Sequence, residues 1–258
     1  MRLFTRQRKP AHDPVEISEK NGVRFLHLGG PAIQSAMRIR EPYALELEYT
    51  RAMLAFVMFH PAPREIALLG LGGGSIAKFI HRHLLDSRLT ALEVNPEVVA
   101  AARTYFSLPA DDKRLRVCIG DGAAYIRDHV DGLDVLLVDA YDAHRIVEDL
   151  ASLEFYRDCA RALRPGGLAL FNLWGSDKHF EAYLERIEAA FAGKMLLLPA
   201  EKKGNMIVLA FTEPLPDLGF AVLGRSARLW ETSLGLEFPR FLERLRSVNV
   251  CLGDRFSL

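Results

Sequence analysis

Ile66-Ala67-Leu68-Leu69-Gly70-Leu71-Gly72-Gly73-Gly74-Ser75 is the stretch that decides the fold. A short apolar run breaks into four glycines within five positions, and a helix-like segment follows over residues 76–84, so the order is strand, tight turn, helix. Glycine admits positive φ and has no Cβ to hold a ligand off the backbone, while the helix behind the turn presents unpaired N–H groups at its start. Gly70 to Ser75 matches the dinucleotide-binding fingerprint except at the last position, where Ser75 replaces glycine. A turn of this kind also serves merely to join a strand to a helix, so its meaning depends on what the rest of the chain sets beside it.

Outward from this turn, strand and helix patterns alternate. A strand over 65–69 and the helix to 84 are followed by a strand over 88–94 and a helix to 106, opened by Asn95-Pro96; proline suits a first-turn position whose N–H would be unpaired. A strand over 115–119, a short helix over 123–129 and a nearly all-apolar strand over 133–138 come next, the last having the composition of a strand buried on both faces. A helix over 153–163 stops at Arg164-Pro165-Gly166-Gly167, then come a strand over 168–173, a helix over 178–191, and strands over 195–198 and 206–211 joined by a loop of hairpin length. The rhythm is that of an α/β protein with a parallel sheet that ends antiparallel.

Upstream, residues 15–19 and 23–28 flank Asn21-Gly22, a strong hairpin signal, and residues 33–39 supply a further extended piece. The apolar pattern over 45–59 predicts a helix closed by His60-Pro61-Ala62-Pro63, packed on the sheet or, alternatively, at a dimer interface. Beyond Pro214 the pattern weakens to short helical stretches, the clearest over 238–248. The implied division is a basic tail over 1–12, a small N-terminal β-domain over 13–44 and an α/β domain over 45–258.

Half of the 258 residues are hydrophobic, enough for a substantial core, and 33 Lys plus Arg balance 33 Asp plus Glu. That balance gives no support for nonspecific nucleic-acid binding, which needs a basic surface to neutralise phosphates. Arg2, Arg6, Arg8 and Lys9 are a local exception with the character of a solvated tail. No segment has the make-up of a secretory signal or a membrane span, so the expectation is a cytoplasmic protein without a membrane partner. Cys118, Cys159 and Cys251 are odd in number, widely spaced and without a Cys-x-x-Cys pair, which argues against both a disulfide framework and a zinc site. His81 and His83, two apart on a helix, point in different directions, and no metal is expected.

Three acids fall where predicted parallel strands stop. Glu93 ends the second strand, Asp121 follows the third in Gly120-Asp121-Gly122, and Asp139 ends the fourth. Parallel strands bring their carboxyl ends to one edge, where open α/β sheets bind ligands, and the glycine turn opens onto that edge. Glu93 lies about twenty residues past the glycines, the spacing at which a carboxylate meets ribose hydroxyls. Asp121 is placed to meet an adenine amino group. Either acid alone is equally well read as a helix cap or first-turn carboxylate; their coincidence with the turn favours a nucleoside site. Asp139-Ala140-Tyr141-Asp142 then sets two carboxylates and an aromatic beside that site. Neighbouring, partly desolvated carboxylates have raised proton affinity, which suits a base that takes a proton from an ammonium group. Tyr141 and Trp174 offer cation-binding faces, Asp142 has the alternative of capping the next helix, and His144 is assigned no role.

These residues, in this order, resemble the spermidine synthase family, the polyamine aminopropyltransferases. The resemblance runs from Gly30-Pro31-Ala32-Ile33-Gln34 through the glycine turn, Glu93, Gly120-Asp121-Gly122, Asp139 with Asp142, and Leu163-Arg164-Pro165-Gly166-Gly167 to Gly204-Asn205-Met206 and the strand to Phe211. It implies a Rossmann-like class I methyltransferase fold, with a seven-stranded sheet, an antiparallel last strand and a small N-terminal β-domain. By that resemblance Glu93 holds ribose, Asp121 faces adenine, Gln34 reaches the nucleoside, Asp139 is the base and Asp142 holds the amine; beside them Gly70, Gly72, Gly73 and Gly122 are the candidates for the S-adenosyl donor, and Tyr141 and Trp174 for the amine. The donor is a co-substrate rather than a tightly bound cofactor, the acceptor is a small amine, and a homodimer is the implied assembly.

The departures from the family pattern remove negative charge. With Gly70 aligned to the first glycine of Gly-Gly-Gly-Asp-Gly, Gly73 stands where the family's acid binds the donor amine. Asn95 replaces the acid after Glu93, and the Asp-Glu-x-x-Tyr-x-Glu motif survives only as a remnant in Glu48-Tyr49-Thr50-Arg51, with Arg51 where an acid is expected. S-adenosylmethionine itself, or an unusual acceptor amine, therefore remains open beside decarboxylated S-adenosylmethionine. An S-adenosylmethionine-dependent methyltransferase and a noncatalytic nucleoside-binding protein are the competing readings; a nicotinamide dehydrogenase explains the turn and Glu93 but not Gly120-Asp121-Gly122 or the paired acids.

Overall fold

The structure is a computed structural model in which residues 12–139, 148–200, 204–214 and 219–258 are described. Three strands open the chain: β1 (Val15–Lys20), β2 (Val23–Leu28) and β3 (Ile33–Arg38), a three-stranded antiparallel sheet in that order. Asn21 and Gly22 both take positive φ, 55° and 76°, the backbone that lets a two-residue turn follow the strands' own twist. Leu26 and Met37 of this sheet pack with Val98, Ala101 and Phe106, which fastens it beside the main sheet.

The main sheet has seven strands: β4 (Glu65–Leu69), β5 (Arg88–Glu93), β6 (Leu115–Ile119), β7 (Leu133–Val138), β8 (Leu163–Trp174), β9 (Met195–Pro199) and β10 (Asn205–Phe211). Their order is β6-β5-β4-β7-β8-β10-β9. The pairs from β6 to β8 are parallel, and β10 runs against both β8 and β9. One reversed strand near the far edge is the expected antiparallel ending. The chain winds one way from β4 to β6 and the other way from β7, so a crevice opens above the carboxyl ends of β4 and β7, where such sheets hold ligands.

Both faces of the sheet are covered, as a parallel sheet requires. All six residues of β7 are buried, with Val135 and Leu137 in one cluster and Leu133, Leu136 and Val138 in the other. Truncating a site such as Leu137 to alanine would cost about 2–5 kcal/mol through lost transfer energy and the cavity left behind. The helices along the sheet are α2 (Ser75–His83), α3 (Pro96–Tyr105), α4 (Gly122–Arg127), α5 (Leu153–Ala162) and α6 (Phe180–Ala190).

Three expectations need correction. The helix expected over 45–59 is a short α1 (Glu48–Ala52) that tightens into a 3-10 segment over Met53–Met58. All six residues of that segment are buried, so it runs through the core, and the apolar run that suggested an interface is core packing. Arg164-Pro165-Gly166-Gly167 does not end one element before another; β8 starts at Leu163 and bulges there, pairing Leu133 with Leu163 and then Val135 with Leu168. The weak C-terminal pattern hides α7 (Phe220–Leu234), the longest helix among the described residues, beside α8 (Phe238–Val248). Its first cap is Gly219, with no side-chain hydrogen bond, and Gly224 lies inside it, so its start and composition do not announce it, although Gly235 with φ 68° marks its end.

Arg2, Arg6, Arg8 and Lys9 lie outside the described residues, as does the hairpin tip over 201–203. Among the described residues no helix is long and apolar enough to cross a membrane. The three cysteines are free, and only Cys159 is fully buried.

Candidate active site

A cavity of ≈ 490 Å³ occupies the crevice above β4 and β7. At one end the backbone of the glycine turn forms its floor. Gly70 takes φ 90° and Gly72 takes φ 52°, and a Cβ on Gly72 would stand 2.7 Å from Ser35 Oγ, so the turn tolerates no side chain there. The Gly70 N–H donates to Leu92 O at 2.9 Å, which ties the turn to β5.

Glu93, at the end of β5, is held by two backbone donors: Leu71 N donates to Oε2 at 3.1 Å and Asn95 N to Oε1 at 3.0 Å. Those bonds fix the carboxylate and leave lone pairs facing the cavity. Asn95, not Glu93, caps α3, its Oδ1 accepting from Glu97 N at 2.9 Å. Asp121 does cap a helix: its Oδ1 accepts from Ala123 N at 2.8 Å and Ala124 N at 3.4 Å at the start of α4. It lines the cavity nonetheless, so capping and ligand contact are compatible. Gln34 of β3 closes this end, with Gly122 beneath.

Gly73 stands apart from these residues. Its N–H donates to Ser35 Oγ at 2.8 Å, and a Cβ built on it would meet Phe106 Cδ1 at 2.9 Å and Ser35 Cβ at 3.0 Å. Its missing side chain would point into packed wall and not into the cavity. Lys78 of α2, with no exposed surface, donates from Nζ to Phe106 O at 2.7 Å and holds that wall in place. Burial brings its ammonium down to about 8.

At the other end Asp139 follows β7, its N–H donating to Leu69 O at 2.8 Å across the switch point. Its Oδ1 accepts from Asn172 Nδ2 of β8 at 2.8 Å, and the Tyr49 hydroxyl of α1 also hydrogen-bonds the carboxylate. Burial drives the Asp139 carboxyl up to about 6, although these two hydrogen bonds pull it down. A carboxylate with raised proton affinity, still open on one side to the cavity, is suited to accepting a proton. Asn205 Nδ2 in turn donates to Asn172 Oδ1 at 2.9 Å, and Trp174, 48% exposed, lines the same end.

Tyr141, Asp142 and His144 lie outside the described residues. Arg51 is turned away from the cavity: its Nε donates to Glu237 Oε1 at 2.8 Å, and a second nitrogen bonds the carbonyls of Leu45 and Glu46. His81 pairs with Asp112 at 2.9 Å on the surface, and among the described residues no three or more metal-ligating side chains gather to hold a metal ion. The cavity-lining residues Ser35, Tyr49, Asn172 and Asn205 escape sequence reasoning as site residues. Signals existed for two of them. Tyr49 sits in the remnant motif, and Asn172 interrupts an apolar strand that has no other reason to carry an amide.

A sheet ordered β6-β5-β4-β7-β8-β10-β9 with one reversed strand, and a carboxylate-lined cavity over its switch point, define a class I methyltransferase-like fold. Human methyltransferase-like protein 13 in complex with SAH has this fold, with a TM-score of 0.66 and 24% identity over 73% of this chain and 93% of that one. A probable spermidine synthase from Corynebacterium glutamicum is similar over 95% of both chains, with a TM-score of 0.71 and 19% identity. Within that fold the spermine/spermidine synthase domain matches residues 46–191. A polyamine aminopropyltransferase from Chromobacterium violaceum is 38% identical over 252 residues, 96% of this chain and 97% of the relative. The chain belongs to the spermine/spermidine synthase family.

Proposed function

We propose that this enzyme transfers an aminopropyl group from decarboxylated S-adenosylmethionine to a primary amine of a polyamine. The charge of the cavity carries the choice of donor. Among its described lining residues are the carboxylates Glu93, Asp121 and Asp139 and no lysine or arginine. A donor with a sulfonium and an ammonium enters a site of opposite sign, whereas the carboxylate of S-adenosylmethionine meets no cation there. The name of the Chromobacterium violaceum relative supports a polyamine as acceptor.

In this reading Glu93 accepts from the ribose hydroxyls, Asp121 from the adenine amino group, and Gln34, Gly70, Gly72 and Gly122 shape the nucleoside end. Gly73 contributes to the turn through its backbone. Trp174, with Tyr141 and Asp142, faces the amine. The attacking nitrogen forms a bond to the methylene carbon next to sulfur, the C–S bond breaks with its electron pair left on sulfur, and methylthioadenosine departs. Asp139 takes the proton from the nitrogen. The sulfonium is already a good leaving group, so alignment and proton removal are the tasks left to the protein.

Calorimetric titration with both donors tests the proposal. The decarboxylated donor is expected to bind at least about tenfold more tightly, a difference of about 1.4 kcal/mol; equal or weaker binding overturns the donor assignment. Product analysis tests the reaction itself: methylthioadenosine is expected, and adenosylhomocysteine would mean methyl transfer.

A further inference from the structure

We propose that Asn205 is a positioning residue for the transfer reaction, acting through Asn172 to fix which end of that amide faces Asp139. The proposal rests on Asp139 being the base. An ionised carboxylate only accepts hydrogen bonds, so of the two ends of the Asn172 amide only the NH2 end suits it. Asn172 is 5% exposed, and a flip of its amide would press an acceptor oxygen against a carboxylate oxygen. The donor on the far side adds to that penalty. Asn205 Nδ2 lies 2.9 Å from Asn172 Oδ1, and Asn172 Nδ2 lies 2.8 Å from Asp139 Oδ1, so the chain of donors runs in one direction.

The antiparallel strand makes this contact. Asn172 of β8 pairs with Ile207 of β10, and Asn205 pairs with Trp174, so Asn205 is a diagonal neighbour of Asn172 on the same face of the sheet. Because β10 runs against β8, its first residue arrives at the carboxyl end of β8, where the cavity lies. A parallel strand at this place would bring its last residues there instead. The reversed strand therefore contributes directly to the reacting end of the site.

The other groups that bear on Asp139 are the Tyr49 hydroxyl from α1 and, across the cavity, the carboxylates of Glu93 at the end of β5 and Asp121 ahead of α4. Tyr141 and Asp142 continue the chain from Asp139. A neutral substitution at Asn205 adds or removes none of these charges, so a shift in the titration of the base reports the amide relay. With the relay intact, the donated hydrogen bond favours the charged carboxylate; with Asn205 gone, Asn172 is free to turn its oxygen inward and the charged form loses that support.

The test is the pH profile of kcat/KM for the full chain, its Asn205→Leu and Asn205→Ala variants, and Asp139→Asn as a control. Asn205→Leu and Asn205→Ala are each expected to move the acid limb up by about half a pH unit, since both remove the donor without adding charge beside Asp139. Asn205→Ala fits within the space of the natural side chain, so the test survives if the leucine variant does not fold. The position of the limb is the readout, whatever the height of the plateau. An unmoved limb in the folded variants, with rate lost equally at every pH, overturns the relay. An Asp139→Asn variant that keeps the full rate overturns instead the base assignment on which the relay rests.

Discussion

At the glycine-turn end of the cavity, the proposed nucleoside end, Glu93 and Asp121 are held by backbone N–H groups of their own or an adjacent turn; at the other, the proposed transfer end, Asp139 is held by side chains from β8 and α1. Backbone donors sit wherever a strand turns into a helix, so the first end follows from local structure and any carboxylate at the right offset finds them. Side-chain partners exist only when distant elements arrive in register, so the second end depends on the whole sheet. The difference teaches that the two ends of the cavity have separable structural bases; on the proposed function these are binding and catalysis, and the separation can be tested by perturbing each end in turn.

The largest effect is expected from Asp139→Asn. The variant keeps an oxygen to accept from Asn172 and Tyr49 but cannot take a proton, so kcat should fall by about 10³-fold while methylthioadenosine binds within about twofold of its normal affinity. Steady-state kinetics and calorimetry on one preparation check both halves; a parallel loss of nucleoside affinity would erase the distinction between the two ends.

Next comes Gly73→Asp, which restores the acid of the family's usual turn. Its side chain would enter the wall formed by Phe106 and Ser35, buried without a cationic partner, at a cost of about 3 kcal/mol. Urea denaturation should show the loss, with no tighter binding of the decarboxylated donor. Stability unchanged with improved donor affinity would show that the wall yields and that the side chain reaches the cavity.

Glu93→Ala should weaken methylthioadenosine binding by about 30-fold, the worth of hydrogen bonds to a charged acceptor, with a smaller change in kcat at saturating donor. A drop in kcat as large as that of Asp139→Asn would sink the separation from the other side.

The smallest effect concerns stability against pH. The folded Asp139 carboxyl lies at about 6, above its ordinary value of 3.8, so its contribution is fully present below the unfolded value and is lost as pH rises through 6. Asp139→Asn should therefore be more stable than the natural protein at pH 7 by about 1 kcal/mol, since part of the carboxyl faces the cavity, and equally stable near pH 3. Thermal unfolding at the two pH values measures it.

Much of this molecule was legible from local pattern. The glycine turn, the alternation of strands and helices, the Asn21-Gly22 hairpin and the placing of Glu93 at the end of β5 and of Asp139 just after β7 rest on side-chain periodicity and turn chemistry, which neighbouring residues decide among themselves. The elements misjudged are those whose neighbours lie far away. The 3-10 segment over Met53–Met58 is enclosed on every side by the core, and the bulge in β8 is set by its pairing with β7.

What the sequence by itself determined is the parallel-sheet rhythm and the set of acids at one sheet edge, because parallel strands necessarily bring their carboxyl ends together. Only the tertiary structure decided that Gly73 backs onto Phe106 and not onto the cavity, that Arg51 turns to Glu237, and that Asn205 reaches Asp139 through Asn172. The physical reason is range. A hydrogen bond between side chains on β8 and β10 has no signature in the residues beside either one; it comes into being when an antiparallel strand sets its register against its neighbour.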